Sequence, residues 1–205
     1  KYPQKPIYLF GHSMGSLVVR AYLRKYDADI AKLIVCGAPG KNPAVGAAHI
    51  LIGILTALKG EKHVSQLMFN MSLGGFNKTI ENPRTSCDWL TRDEAIVDAY
   101  VADPLCGFAP TPALANAMMT GLLYIQNSAN LKRMNRELPV HFIAGGDDPV
   151  GGYGEGVRKA VAEFKKHGMA HVDMKIYPLC RHEIHNEINR REVYEDLANW
   201  IEKTI

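Results

Sequence analysis

Cysteine is sparse in this sequence: four in 205 residues, with no C-x-x-C pair among them. That excludes the dense disulfide framework of small secreted domains. Cys36, Cys87, Cys106 and Cys180 are therefore read as reduced thiols, with Cys36 packing as a small hydrophobe inside an apolar run. Charge of one sign is lacking too. The formal net charge is +3, Lys and Arg are dispersed, and no RNA-type aromatic motif accompanies them, so nucleic acid is not an expected partner. No apolar run reaches the roughly 20 residues of a membrane-spanning helix. There is no signal peptide at Lys1-Tyr2-Pro3, and the expectation is a cytoplasmic protein. What remains is an ordinary globular balance, 47% hydrophobic and 22% charged, sufficient for one well-buried core with an insertion.

The chain opens on Ile7-Tyr8-Leu9-Phe10, a run of β-formers between Pro6 and Gly11 that reads as a buried strand. A helix follows over Ser16 to Tyr26. Its apolar face is expected to hold Leu17, Val18, Ala21 and Tyr22, with Arg20, Arg24 and Lys25 on the other side. Leu33-Ile34-Val35-Cys36 is a second buried strand, ended by Gly37-Ala38-Pro39-Gly40. Strand, helix and strand at this spacing make a right-handed βαβ unit in a parallel sheet. Late in the chain the pattern returns. Val140 to Ala144 is a strand, and Val157 to Lys166 a helix with Val157, Ala160, Val161 and Phe164 on one face. Val172 to Tyr177 is an alternating, edge-ward strand. The helix from Arg191 to Lys203 buries Val193, Leu197, Trp200 and Ile201.

Roughly a hundred residues separate these two pieces, far more than a usual crossover. Helices are expected there at Pro43 to Leu58, Val64 to Leu73 and Pro112 to Gln126. The expected organisation is an α/β core at 1–40, a helical cap or lid at 41–136, and the rest of the core at 137–205.

Gly11-His12-Ser13-Met14-Gly15 matches G-x-S-x-G between a predicted strand and a predicted helix, the setting that motif requires. Small residues two before and two after the Ser let strand and helix approach closely, and the strained turn pushes Oγ into the cleft. The Met14 backbone N–H at the helix start is then a donor for an oxyanion. An ordinary Ser N-cap in a Gly-rich turn is the plainer alternative. A nucleophilic Ser needs a base, and the base needs an orienting acid. In chain order Ser, acid, His, the candidates are Ser13, Asp148 after the third strand and His182 after the fourth. Both followers fall at carboxyl ends of parallel strands, where open α/β sheets place their sites. Asp147 competes with Asp148, and His185 with His182. His182-Glu183-Ile184-His185 has its histidines three apart rather than four, so it is not the zincin H-E-x-x-H and no metal is expected. The six glycines of Gly145 to Gly156 lack the G-K-[ST] ending of a phosphate-binding loop and are read as turns around the acid.

Gly11 to Ser16, Gly146 to Gly151, His182-Glu183 with Asn186-Glu187, and the tail Val193 to Trp200 together resemble monoacylglycerol lipase and lysophospholipase-like α/β-hydrolases, grouped with the serine aminopeptidase-type hydrolases. Ser86 to Asp93 and Asp103 to Phe108 look like recurring cap segments of the bacterial members. The resemblance implies the carboxyl-terminal half of an α/β-hydrolase sheet, equivalent to strands 5 to 8 of that fold. It also implies a serine ester hydrolase without metal or organic cofactor, with Ser13 as nucleophile, Asp148 as acid and His182 as base. Members carry four strands ahead of the elbow, and a His-Gly loop there donates the other oxyanion N–H. About ten residues precede Ser13 here, so this sequence is expected to be a piece of a longer chain of about 300 residues.

The apolar character of Ala44 to Leu58 suggests a lipid-facing lid or acyl-chain wall that contacts a membrane surface transiently. His12, Leu51, Leu55, Met118 and Leu122 are the candidate substrate contacts, Met118 and Leu122 with Met119 and Leu123 suiting an adaptable apolar pocket. The expected partner is a small acyl ester or lipid. Two rival readings stand beside it. The same triad serves an aminopeptidase, a thioesterase or a non-lipid esterase, and an acidic cluster near the cap would favour the first. A non-catalytic binding module of the same fold would lack a triad member.

Overall fold

The computed structural model describes residues 4–64 and 74–203. Four parallel strands form one sheet among these residues, ordered along it as in the chain. They are β1 (Ile7–His12), β2 (Ile30–Cys36), β3 (Val140–Gly145) and β4 (Val172–Tyr177). The helices are α1 (Met14–Tyr26), α2 (Val45–Lys59), α3 (Glu94–Ala102), α4 (Pro112–Gln126), α5 (Ser128–Leu131), α6 (Glu155–Lys166) and α7 (Arg190–Glu202). The helix expected at Val64 to Leu73 falls, beyond Val64 itself, outside the described residues.

The central strands are apolar on both faces because helices cover both. Leu33 and Val35 of β2, with Val140, Phe142 and Ala144 of β3, face one way onto Val19 and Leu23 of α1 and Val157, Val161 and Phe164 of α6. Ile34, Cys36 and Ile143, one residue out of step, face the opposite layer with Val193 and Trp200 of α7. Lys32, on that second side, is buried yet satisfied: its Nζ donates to the carbonyls of Trp200, Ile201 and Lys203 at the end of α7. A third cluster joins Leu17 of α1 to Val45, Leu122 and Ile125.

Two expectations are corrected. The run Ile7-Tyr8-Leu9-Phe10 is not a buried strand: β1 is an outer strand among the described residues, and Ile7, Tyr8 and Phe10 are exposed. The buried face of α1 is also rotated. Val18 is 59% exposed and Tyr22 44%, whereas Val19, Arg20, Leu23 and Arg24 are buried. The helix carries apolar residues all round except at its arginines, so periodicity alone does not select a face. Tertiary acceptors do: Arg24 donates to the carbonyls of Tyr124 (2.8 Å) and Ile125 (2.5 Å), capping the last turn of α4.

All four cysteines are free. Among the described residues no helix is long and apolar enough to cross a membrane.

Candidate active site

Each strand ends in a loop that carries one part of the site, and backbone bonds lock the loops in a row. Ser13 N–H donates to Cys36 O, Gly37 N–H to Ile143 O and Gly146 N–H to Tyr177 O, each at 2.8–3.0 Å. The sheet ladder thus continues past the strand ends and aligns the elbow, the Gly37 turn, the acid loop and the His loop along the carboxyl edge.

Ser13 sits at φ 53, ψ −120, a conformation strained for a residue with a Cβ. Its carbonyl accepts from Ser16 N–H (2.9 Å) and Ser16 Oγ (2.5 Å), which closes the first turn of α1. Gly11 permits the sharp return: a Cβ there would collide with the Gly15 carbonyl and Val19. Met14 opens the helix, and first-turn N–H groups have no intrahelical acceptor.

Of the two candidate acids, Asp148 is the one aimed inward. It is fully buried, and its Oδ1 lies 3.0 Å from His182 Nδ1 and accepts from Val150 N–H at 2.9 Å. Asp147 is exposed. A carboxylate accepts, so Nδ1 of His182 carries the hydrogen and Nε2 keeps its lone pair. That Nε2 is buried with no hydrogen-bond partner, Ser13 Oγ included. The ring packs against Gly37, whose φ of +57 suits glycine and where an added Cβ would stand 3.1 Å from His182 Cε1. The structure therefore joins His182 to Asp148 by a hydrogen bond. It brings the elbow beside them through Cys36 and Gly37 without closing a bond from Ser13.

His185 does not face the acid. Its ring meets His12 edge-on at 4.7 Å, and its Nδ1 is buried and unbonded. His12 lies 4.7 Å from the His182 ring, and its Nε2 is 3.1 Å from the His182 carbonyl. A carbonyl only accepts, so His12 Nε2 carries its hydrogen. Burial above all, with the adjacent His182 and His185, lowers His12 to about 3, and it is a neutral ring at ordinary pH. His12, Cys36 and His185 each bring one ligand-type atom within 4.8 Å of the others. Burial first, then Asp148 and Glu183, pushes the Cys36 thiol well up, so it holds its proton there rather than offering a thiolate.

Two contributors escaped the sequence reading. Trp89, on a 3-10 turn at Asp88–Leu90, accepts from His182 N–H through its carbonyl at 3.3 Å and lays its ring 5.1 Å from the imidazole. Leu90 O accepts from Glu183 N–H at 2.7 Å. Glu187 is fully buried and accepts from the N–H groups of Arg92, Arg181 and Ile188 and from Arg92 Nε, at 2.9–3.2 Å. Together they fasten the His loop to a segment some ninety residues away. Glu187 lies inside a stretch the resemblance singled out, but nothing local foretells its partners.

Of the candidate substrate contacts, Met118 lines an apolar groove of about 410 Å³ with Met14, Leu17, Val18 and Leu114, beginning at the residue after Ser13. Leu122 packs in the α1–α4 cluster instead. Leu51 is exposed and Leu55 half-buried on α2.

The model of a family described as serine aminopeptidase, S33 matches residues 1–189. A monoacylglycerol lipase of Mycolicibacterium smegmatis is 26% identical over 98% of the chain. Among solved structures, a thermostable carboxyl esterase from Bacillus coagulans, in complex with glycerol, superposes with a TM-score of 0.89 at 32% identity over 98% of the chain. A soluble variant of monoglyceride lipase from Saccharomyces cerevisiae, in complex with a substrate analogue, gives a TM-score of 0.68 at 20% identity over 96% of the chain. The chain spans 63%, 65% and 61% of the length of these relatives, respectively.

Proposed function

We infer what this chain does from the premise that it belongs to the serine aminopeptidase S33 family, and we propose that it carries the triad of a serine ester hydrolase. The observation that carries this is the pairing of a strained Ser at a strand–helix turn with a buried His–Asp couple on the same sheet edge. Ser13 Oγ attacks the ester carbonyl while His182 Nε2 takes its proton. The tetrahedral oxyanion is held by the Met14 N–H. His182 passes the proton to the leaving alcohol, and an acyl-Ser13 ester remains. Water then attacks that ester as His182 takes its proton, and the acid leaves as His182 returns that proton to Ser13 Oγ. Asp148 holds His182 in the Nδ1–H tautomer and stabilises the imidazolium. The Ser13–His182 bond is made on substrate binding, since hydrogen bonds of this kind are often open in the free state.

The substrate is proposed to be an acyl ester of glycerol or a lysophospholipid. The apolar groove running from Met14 to Met118 suits an acyl chain, and the names of the relatives agree with that class. On α2, Ile50, Ile54 and Leu58 recur every fourth residue with Leu51 beside them, all exposed. This strip is proposed as a lipid-facing surface on a cap comprising 41–136. A free amino terminus would need an unengaged acidic group, and the four acidic residues between Asp88 and Asp98 each have a partner. Asp88 accepts from Arg84 N–H and Thr85, Asp93 pairs with Arg190, and Arg84 holds Asp98 and Glu94.

Fluorophosphonate labelling of the full-length protein tests the triad: labelling is expected on Ser13 and absent in Ser13→Ala. A folded protein that takes no label would instead be a binding module. Esters of graded length test the groove, with medium acyl chains cleaved faster than acetyl; a flat profile would count against it.

A further inference from the structure

On the flank of α1 turned from the groove, the protein buries a cation that no carboxylate neutralises among the described residues. Arg20 is 6% exposed. Its Nε is buried with no hydrogen-bond partner, and its Nη1 reaches only the Pro39 carbonyl, at 3.4 Å. Its guanidinium stands 5.8 Å over the Phe164 ring, and no carboxylate pairs with it among the described residues. Arg24, one turn on, differs in having the carbonyls of α4 as acceptors. Burial first, then the charge of Arg24, brings Arg20 down to about 9, which leaves it protonated at neutral pH.

Arg20 opens onto a cavity of about 510 Å³ between α1, the α4–α5 junction and α6. Pro43 and Ala162 are its exposed apolar lining, Leu131 and Phe164 lie buried behind it, and Lys41, Lys159 and Lys166 are exposed lining residues. Gln126 lines the same space, and its side-chain nitrogen is a second buried donor without an acceptor. The single carboxylate on the lining, Glu163, lies 3.5 Å from His167. Buried charges and amides are ordinarily paired. Arg20, unpaired by any carboxylate among the described residues, lines a cavity under three lysines, and a ligand that brings acceptors would complement it.

We propose that this cavity is an anion site for a carboxylate or phosphate borne on a short apolar body. The head group sits on Arg20 between the lysines, and the body lies along Pro43 and Ala162, the exposed apolar residues of the lining. The planar guanidinium fork suits either oxyanion. None of these residues belongs to the Ser13 groove, so the site stands whether or not the chain is an esterase.

Calorimetric titration of the full-length protein with sodium octanoate, octyl phosphate and inorganic phosphate tests this. At least one of the three should bind saturably, weakened about tenfold by Arg20→Gln. The double variant Lys159→Glu with Lys166→Glu, both on an exposed helix face, should weaken it about threefold and serves should Arg20→Gln fail to fold. Inorganic phosphate binding as well as octyl phosphate identifies the free oxyanion as sufficient; binding of the octyl compounds alone shows that the apolar lining contributes. No binding below ~10 mM of any probe, or binding unchanged in the charge-reversed variant, overturns the proposal.

Discussion

Nδ1 of His182 stands 3.0 Å from Oδ1 of Asp148, and both side chains are sealed from solvent, whereas the neighbouring Asp147 is exposed. Asp148→Asn keeps the size of the group but lets an amide face Nδ1, which favours the wrong tautomer. Ester turnover is expected to fall by about 10³- to 10⁴-fold with the fold retained. Asp147→Asn should stay within about threefold of the parent. Steady-state kcat with circular dichroism melts on both variants checks this, and equal losses would leave the acid unassigned to Asp148.

Gly37 makes the second prediction. Its φ of +57 and the 3.1 Å and 3.2 Å approaches to His182 Cε1 and Nδ1 leave a methyl group no room without moving the imidazole. Gly37→Ala is expected to cost about 1–2 kcal/mol of stability. The loss of kcat should be larger than that figure implies, because the displaced ring is the proposed base. Urea midpoints set beside kcat separate the two effects. A variant that loses stability but keeps kcat would show that the ring has slack.

How much of this was legible depends on whether a residue's role is local. α6 declares itself because Val157, Ala160, Val161 and Phe164 make one stripe on an otherwise polar helix. β2 and β3 read as buried because helices cover both faces. α1 misleads: Val18 and Tyr22 have core chemistry but face outward, while Arg20 and Arg24 are buried by α4, α5 and α6. The elbow and the chain order of acid and base could be read directly, since each sits in its own loop. Trp89 and Glu187 could not, because Arg92, which Glu187 holds, is 95 positions away.

Glu187 supports the third prediction. Its carboxylate is fully buried and takes four donors, two from Arg92 and one each from Arg181 and Ile188 on either side of His182. Glu187→Gln turns half of an acceptor-only group into a donor that faces donors. About 3 kcal/mol of stability should be lost. With the His loop unmoored, kcat should fall more than KM rises. Unaltered thermal stability would mean that the carboxylate is dispensable as an anchor.

The pH dependence of stability turns on His12, held down to about 3 from the usual 6.5 chiefly by burial, with His182 and His185 beside it and Asp148 acting the other way. The unfolded chain binds a proton on this ring between those two values and the folded chain does not, so stability falls as pH falls through that window and is fully retained above 6.5. The contribution amounts to about 2 kcal/mol lost between pH 7.5 and pH 5. His185, also lowered by burial, adds in the same direction. His12→Gln has no proton to gain, so its loss of stability over that interval should be smaller by about the His12 share. Urea unfolding of parent and variant at pH 7.5, 6 and 5 measures the difference. Parallel pH curves for the two proteins would place the acid sensitivity elsewhere and leave His12 with packing alone.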